Sequence, residues 1–330
     1  MRKLAIPLVV LSLLTLAAMA CAQDNWTDDL AINGYFQARY EGDDATEDEF
    51  KIRRMFTNLI ADLSDDANAV LTFAYFDNYK PGFEDDIIIY NMFVDYQIND
   101  VWSARFGLVP TTFGYEAWQS SQSRIALERA RILQGDPGAG SCGFYFGGAS
   151  DRGLLLKRAG ENGAPDLYFS VANGQFRRSD ANSAKNIGID AKWQRDWGQF
   201  GVSWLDGTYT DAAGLETDRD AMGAYALFDS GAFNFQAEYA DGELRGADRD
   251  GWYLQVSKPM ADKPWMPYVK YEEYNADTNA GCIADWSALR GGVVWDLDEA
   301  NQLTVEIYDT DDDHNDVEVG GFGVSWQASY

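Results

Sequence analysis

The feature that most restricts how this chain can fold is alternation. The runs "INGYFQARY" at 32–40, "IYNMFVDYQI" at 89–98, "VWSARFGL" at 101–108, "NIGIDAKW" at 186–193, "AFNFQAEYA" at 232–240 and "QLTVEIYD" at 302–309 share one pattern: bulky apolar residues on one parity and Asn, Gln, Arg, Asp, Glu or Thr on the other. That is the period of a β-strand with one apolar and one polar face. About sixteen such runs cover the chain, and helical spacing is scarce. The pattern persists through "GGFGVSWQASY" to Tyr330, where most domains fray.

The connections alternate as strictly as the residues. "SDDAN", "ND", "DWGQ", "SG", "MADKP" and "DEAN" are tight, whereas "GDDATEDE", "NYKPGFEDD", residues 110–150, "QFRRSDANSA", "TDAAGLETDR", "DGELRGADRD", "NADTNAGCIADW" and "TDDDHND" are long. An up-and-down meander with short turns at one end and long loops at the other is the signature of a transmembrane β-barrel. In hydrocarbon every backbone N–H and C=O must be paired, so such a sheet has to close on itself. A last strand paired with the first would not fray, and an aromatic last residue would join the interfacial girdle. A soluble sandwich or propeller also has alternating strands. Here the apolar face continues on nearly every strand with no pairing of sheets to bury it, and the opposite face carries charges that a sandwich core could not accept. We therefore expect an all-β, antiparallel transmembrane barrel of about sixteen strands.

Residues 1–22, "MRKLAIPLVVLSLLTLAAMACA", have two basic residues, an apolar run and small residues, the layout of a cleaved export leader. Residues 23–330 would form the barrel. Cys142 and Cys282 then lie in an oxidising compartment and are candidates to pair as a disulfide. With 53 acidic and 26 basic residues the net charge is -27, which excludes nucleic acid as a partner.

Strand parity yields the polar face. Arg39, Arg105, Lys192, Lys270 and Arg290 would point inward with Asp95, Asp190, Glu238, Glu272 and Glu306. Five charges of each sign make a mixed lumen. Arg53 and Arg54 are adjacent and must face opposite ways unless a bulge intervenes. Asp309, Asp311 and Asp313 suggest a calcium loop but lack the glycine of an EF-hand; a solvated acidic loop accounts for them as well. His314, the single histidine, leaves little material for triads or metal centres. "GAGSCG" at 138–143 has dinucleotide-site spacing but is followed by "FYFGG" rather than a helix. Glu272 and Glu273 diverge on a strand and so make no glycosidase pair. No cofactor and no catalysis are expected.

Several fragments in order, "FKIRRMFTNLIADLSDDANAVLTF" at 50–73, "NMFVDYQINDVWSARFGLVPTTFGYE" at 91–116, "SSQSRIALERARI" at 120–132, "SDRGLLLK" at 150–157, "YFSVANG" at 168–174 and "GWYLQVSKP" at 251–259, resemble the phosphate-selective porin O and P family. The resemblance implies a trimer of 16-stranded barrels in the outer membrane of a diderm bacterium. It also implies a long third loop, here residues 110–150, folded into the lumen as a constriction. Within that loop "SRIALERARI" has helical spacing and carries Arg124, Arg129 and Arg131 beside Glu128. Family members line their channels with arginines that select anions, so the resemblance carries that role onto these three; anchoring the loop to acidic wall residues is the other reading. The loops "EGDDATEDE", "EDD" at 84–86 and "DTDDDHND" are acidic and would lower the anion concentration at the mouth. A general or weakly charge-selective porin for small hydrophilic solutes and ions is therefore expected. The alternatives are an anion- or phosphate-selective channel, or a secreted β-protein that binds glycans or cell surfaces. Lipid and lipopolysaccharide are the surrounding partners this reading implies.

Overall fold

A computed structural model of the chain describes residues 30–44, 47–76, 87–134, 150–174, 183–210, 216–244, 247–276, 285–313 and 316–330. The expected leader, Cys142, Cys282 and His314 lie outside the described residues. The first half of the wall is β1 (Leu30–Asp43), β2 (Glu49–Ser64), β3 (Ala67–Tyr75), β4 (Ile87–Gln97), β5 (Trp102–Pro110), β6 (Ser150–Arg158), β7 (Asp166–Ala172), β8 (Asn186–Arg195) and β9 (Gly198–Asp206). The rest is β10 (Thr208–Thr210), β11 (Glu216–Asp229), β12 (Asn234–Leu244), β13 (Asp248–Ser257), β14 (Trp265–Ala276), β15 (Trp286–Asp296), β16 (Asn301–Asp312) and β17 (Val317–Ser329).

Apart from β9 and β10, each strand pairs antiparallel with its sequence neighbours, and β17 pairs back onto β1 from Tyr35↔Ser329 to Asp43↔Gly321. β9 and β10 both pair with β11 and form one stave interrupted at Gly207. The 17-stranded sheet is thus a closed barrel of sixteen staves, one for each alternating run in the sequence. Tyr330 extends the seam: its backbone exchanges hydrogen bonds of 3.0 and 2.9 Å with Gly34. Its hydroxyl bonds the Thr57 hydroxyl and donates to the Phe56 carbonyl.

The two faces separate as the alternation requires. On β14 Tyr268, Lys270, Glu272 and Tyr274 are buried inward while Val269 is exposed. On β16 Thr304 and Glu306 are buried beside exposed Val305 and Ile307. Aromatic rings gather near the short-turn end of the outer wall, with Trp193 stacked on Phe200 at 5.1 Å and Trp197 on Phe200 at 6.2 Å. That is the girdle a bilayer interface selects.

The inner face is not uniformly polar. Leu205, Ala221, Ala240, Leu244, Tyr253, Tyr274, Trp286 and Ala288 form an apolar patch on the wall, and Phe113, Ala117, Ala130, Ile132 and Leu133 of the β5–β6 connection pack on it. A water-filled cylinder would have no use for this patch. It exists because the connection is a second layer, and burying apolar area against it holds that layer inside at ~25 cal/mol per Å².

Three inward tyrosines also shape the lumen. Tyr225, Tyr268 and Tyr308 sit directly across the ladder from Gly201, Gly292 and Gly321. In each case the ring lies over the glycine, where a Cβ would collide with it. A tyrosine pressed flat along the wall occupies less of the channel than one projecting into it, and it covers the backbone that glycine leaves bare.

Candidate functional site

Residues 111–134, the described part of the third loop (L3), lie against the inner wall and are fixed by wall carboxylates. Glu238 accepts the Tyr115 and Glu116 backbone N–H groups at 2.8 and 3.1 Å and the Tyr253 hydroxyl at 3.1 Å. Glu272 accepts Arg131 N–H at 2.7 Å, and Glu306 accepts Leu127 N–H at 3.1 Å. Arg290 bridges these last two carboxylates at 3.1 and 3.2 Å. Lys270 pairs with Glu116 of the loop at 2.8 Å, both side chains almost wholly buried. Ser121 and Gln122 reach β1 and β17 through Tyr35, Gln37, Gln327 and Ser329.

This anchoring overrides the helical spacing. Residues 121–133 form turns and bends rather than a helix. The N–H groups of Leu127, Ala130 and Arg131, which a helix would direct to carbonyls four residues back, go instead to Glu306, Glu116 and Glu272. Charge-assisted bonds from buried carboxylates outweigh the local propensity.

The three loop arginines have separate fates. Arg129 donates to the Glu116 and Gln119 carbonyls at 3.1 and 2.7 Å, so it anchors the loop to itself and not to acidic wall residues. Arg131 lies 4.6 Å over the Trp286 ring. Arg124 is buried, and its Nε and Nη1 have no partner.

Arg53 and Arg54 both turn to the lumen. The β1–β2 register steps from Gln37↔Arg54 to Ala38↔Ile52, so Arg53 is the extra residue of a β-bulge. The bulge cancels the alternation at this point and puts two guanidiniums on one face. Arg53 Nη2 and Arg39 Nη1 reach Glu128 at 3.3 and 2.6 Å. Arg54 is buried, with its Nε unpartnered. Four guanidiniums, Arg39, Arg53, Arg54 and Arg124, therefore act on one carboxylate, Glu128. Arg39 also pairs with Glu41 at 3.1 Å, so positive charge exceeds negative at this point.

The remaining inward charges neutralise one another across the ladder. Arg105 grips Asp95 through two 2.7 Å bonds and lies 3.7 Å over Phe93. Lys192 sits 3.4 Å from Asp166 and donates to the Tyr168 hydroxyl at 2.9 Å. Asp190 accepts the Ser203 and Tyr225 hydroxyls at 2.6 and 3.1 Å. All ten parity-derived charges are thus on the inner face, but Glu238, Glu272, Glu306, Lys270 and Arg290 serve the loop. Parity cannot tell a charge that lines water from one that holds a plug. Glu116 was missed because nothing marks a loop carboxylate as the partner of a lysine 154 positions away. Asp309, Asp311 and Asp313 project from the outer face at the end of β16. An extended strand spaces such side chains about 7 Å apart, so they do not converge on one ion.

Solved structures share the architecture. OmpF of Salmonella typhi, determined with daunomycin, superposes with a TM-score of 0.67 at 12% identity, covering 92% of this chain and 99% of that one. An anion-selective porin from Comamonas acidovorans gives 0.65 at 13% identity, with 91% and 99% covered. OmpT of Vibrio cholerae in its trimer form gives 0.59 at 12% identity, again covering 91% and 99%. No curated protein matches by sequence. Residues 29–211, more than half of the chain, match the family described as phosphate-selective porin O and P. Family and fold together point to a channel rather than an enzyme. The chain belongs to the phosphate-selective porin O and P family and is a channel of the Gram-negative outer membrane.

Proposed function

We propose that this porin passes small hydrophilic solutes and ions by diffusion, with L3 setting the size limit and a weak anion preference set by the arginine cluster. The observation that carries the preference is the excess of guanidinium at Glu128, with buried nitrogens of Arg54 and Arg124 left without partners. Positive charge that no nearby carboxylate cancels attracts a passing anion and repels cations through the field it sets across the lumen. An acidic outer mouth opposes them, and the result is weak selection rather than phosphate specificity. Conductance of the purified protein in planar bilayers under a potassium chloride gradient tests this. A modest anion preference with little discrimination between chloride and phosphate is expected; cation preference, or current blocked by low concentrations of phosphate, would overturn it.

The assembly is a homotrimer, a reading supported by the trimer form of the Vibrio OmpT structure. Export proceeds through cleavage of residues 1–22. Lipid and lipopolysaccharide surround the barrel. Cross-linking of the detergent-extracted protein, and mass spectrometry of its mature N-terminus, test the first two.

A further inference from the structure

Away from the arginine cluster, a recess of about 200 Å³ opens between the start of L3 and the inner faces of β7, β8, β9 and β11. Its character differs from the rest of the lumen. Four aromatic rings line it as two pairs, Trp118 with Tyr168 at 5.2 Å and Tyr115 with Tyr225 at 6.0 Å. Trp118 comes from the loop and Tyr168 from the wall, so the pair exists only because L3 is folded in.

One acid, Asp190, and one base, Lys192, line the recess, and its polar groups are incompletely used. Asp190 holds the Ser203 and Tyr225 hydroxyls, one on each oxygen, and each oxygen keeps a lone-pair direction free. Lys192 is already matched by Asp166 and the Tyr168 hydroxyl. Gln199 takes a bond from Gln194 on its carbonyl at 2.8 Å, leaving its amide N–H₂ available. The buried indole N–H of Trp118 has no partner. A free anion would meet Asp190. A cation would be repelled by the Lys192 ammonium, whose Nζ lies 5.2 Å from the Tyr168 centroid.

What fits is a neutral molecule with an apolar face for the rings and hydroxyls around its edge. The volume is that of about seven waters at ~30 Å³ each, which accommodates one six-membered sugar ring. We infer that this recess is a docking step for neutral monosaccharides crossing the channel, an inference that rests on the diffusion-channel reading above. Convergent polar groups around an apolar, aromatic pocket are the general form of a small-molecule site.

The test is ion current through single channels in the presence of glucose, with sorbitol, its open-chain counterpart lacking a ring face, and gluconate as comparisons. Each current is normalised to the same channel without additive. Glucose should reduce the current saturably, while sorbitol should lower it only in proportion to bulk conductivity. Trp118→Leu, on the loop, and Tyr168→Leu, on the wall, should each raise the half-saturating glucose concentration about fivefold, the scale of one lost aromatic contact. A reduction that is linear and equal for glucose and sorbitol overturns the proposal. So does a half-saturating concentration unchanged in both variants, or gluconate acting better than glucose. A protein with no additive-free conductance would instead fail the channel reading itself, and this inference with it.

Discussion

Replacing Arg54 and Arg124 together by alanine removes two of the four positive charges gathered around Glu128. An ion passing ~7 Å from a guanidinium in water feels about 0.6 kcal/mol from it. Screening over a Debye length of ~8 Å at 0.15 M salt reduces this to about 0.25 kcal/mol. Each lost charge disfavours anions and favours cations by that amount, so the two together shift the anion-to-cation balance by about 1 kcal/mol, or fivefold. The same sum with the ~3 Å Debye length of 1 M salt leaves less than a twofold effect. Reversal potentials of wild type and variant, measured at both ionic strengths, give the permeability ratios directly. The variant should also fold at least as well, because unpaired buried charge opposes folding. A ratio unchanged at the lower salt concentration, or a shift of equal size at both, would refute the assignment of selectivity to these two residues.

Other outcomes follow from the anchoring of L3. Arg129→Ala should increase current noise, because Arg129 ties loop carbonyls together, and should shift the anion-to-cation balance by no more than the ~0.5 kcal/mol, about twofold, of one lost charge. Burial acts to raise the Glu128 carboxyl, but Arg53, Arg39, Arg54 and Arg124 outweigh it and hold the group well below 4.5. For Glu116, burial is likewise outweighed by Lys270, and its carboxyl is also held below 4.5. Neither residue sits on a strand. A depressed carboxyl contributes stability above its unfolded value that is lost only as pH falls through the folded value. The difference in single-channel conductance between wild type and Glu128→Gln should therefore stay constant from neutral pH to 4.5, and a difference that vanishes between pH 6 and 5 would contradict this account of the loop. Gly201→Ala should drive the Tyr225 ring off the wall, destabilising the barrel by about 1–3 kcal/mol. The temperature at which gel mobility shifts reports that loss, and adding Tyr225→Ala should make the combined cost less than additive.

The wall was legible because membrane and water impose the same rule on every strand. Each apolar run in the sequence corresponds to one stave, and even the break at Gly207 leaves the stave intact. Parity also sets which face a charge takes, since a side chain's face follows from its position in an extended strand. It failed where the backbone departs from that geometry: the bulge at Arg53 places two neighbours on one face. It also failed where chemistry depends on what lies across the lumen. Nothing local distinguishes Glu272, which holds the Arg131 N–H, from Asp95, which neutralises the next strand. The apolar inner patch from Leu205 to Ala288 was the available signal, because inward alanines, Tyr253 and Trp286 on a supposedly wet face imply a covering layer.

The C-terminal residue supplies the sharpest test of closure. Tyr330 contributes through its backbone, paired with Gly34, and through a hydroxyl shared between Thr57 and the Phe56 carbonyl. Tyr330→Phe keeps the ring and the backbone pair and removes only the hydroxyl, at a cost of about 0.5–1.5 kcal/mol. Deleting the residue removes both backbone bonds as well and leaves Gly34 N–H and C=O unpaired. Inside or beside hydrocarbon an unpaired group costs several kcal/mol because no water replaces the partner. Deletion should therefore lower the mobility-shift temperature far more than the phenylalanine variant does, and should reduce the fraction that folds into lipid vesicles. If both changes cost the same small amount, Gly34 must already face water, and the β1–β17 seam ends one residue short of the apolar layer.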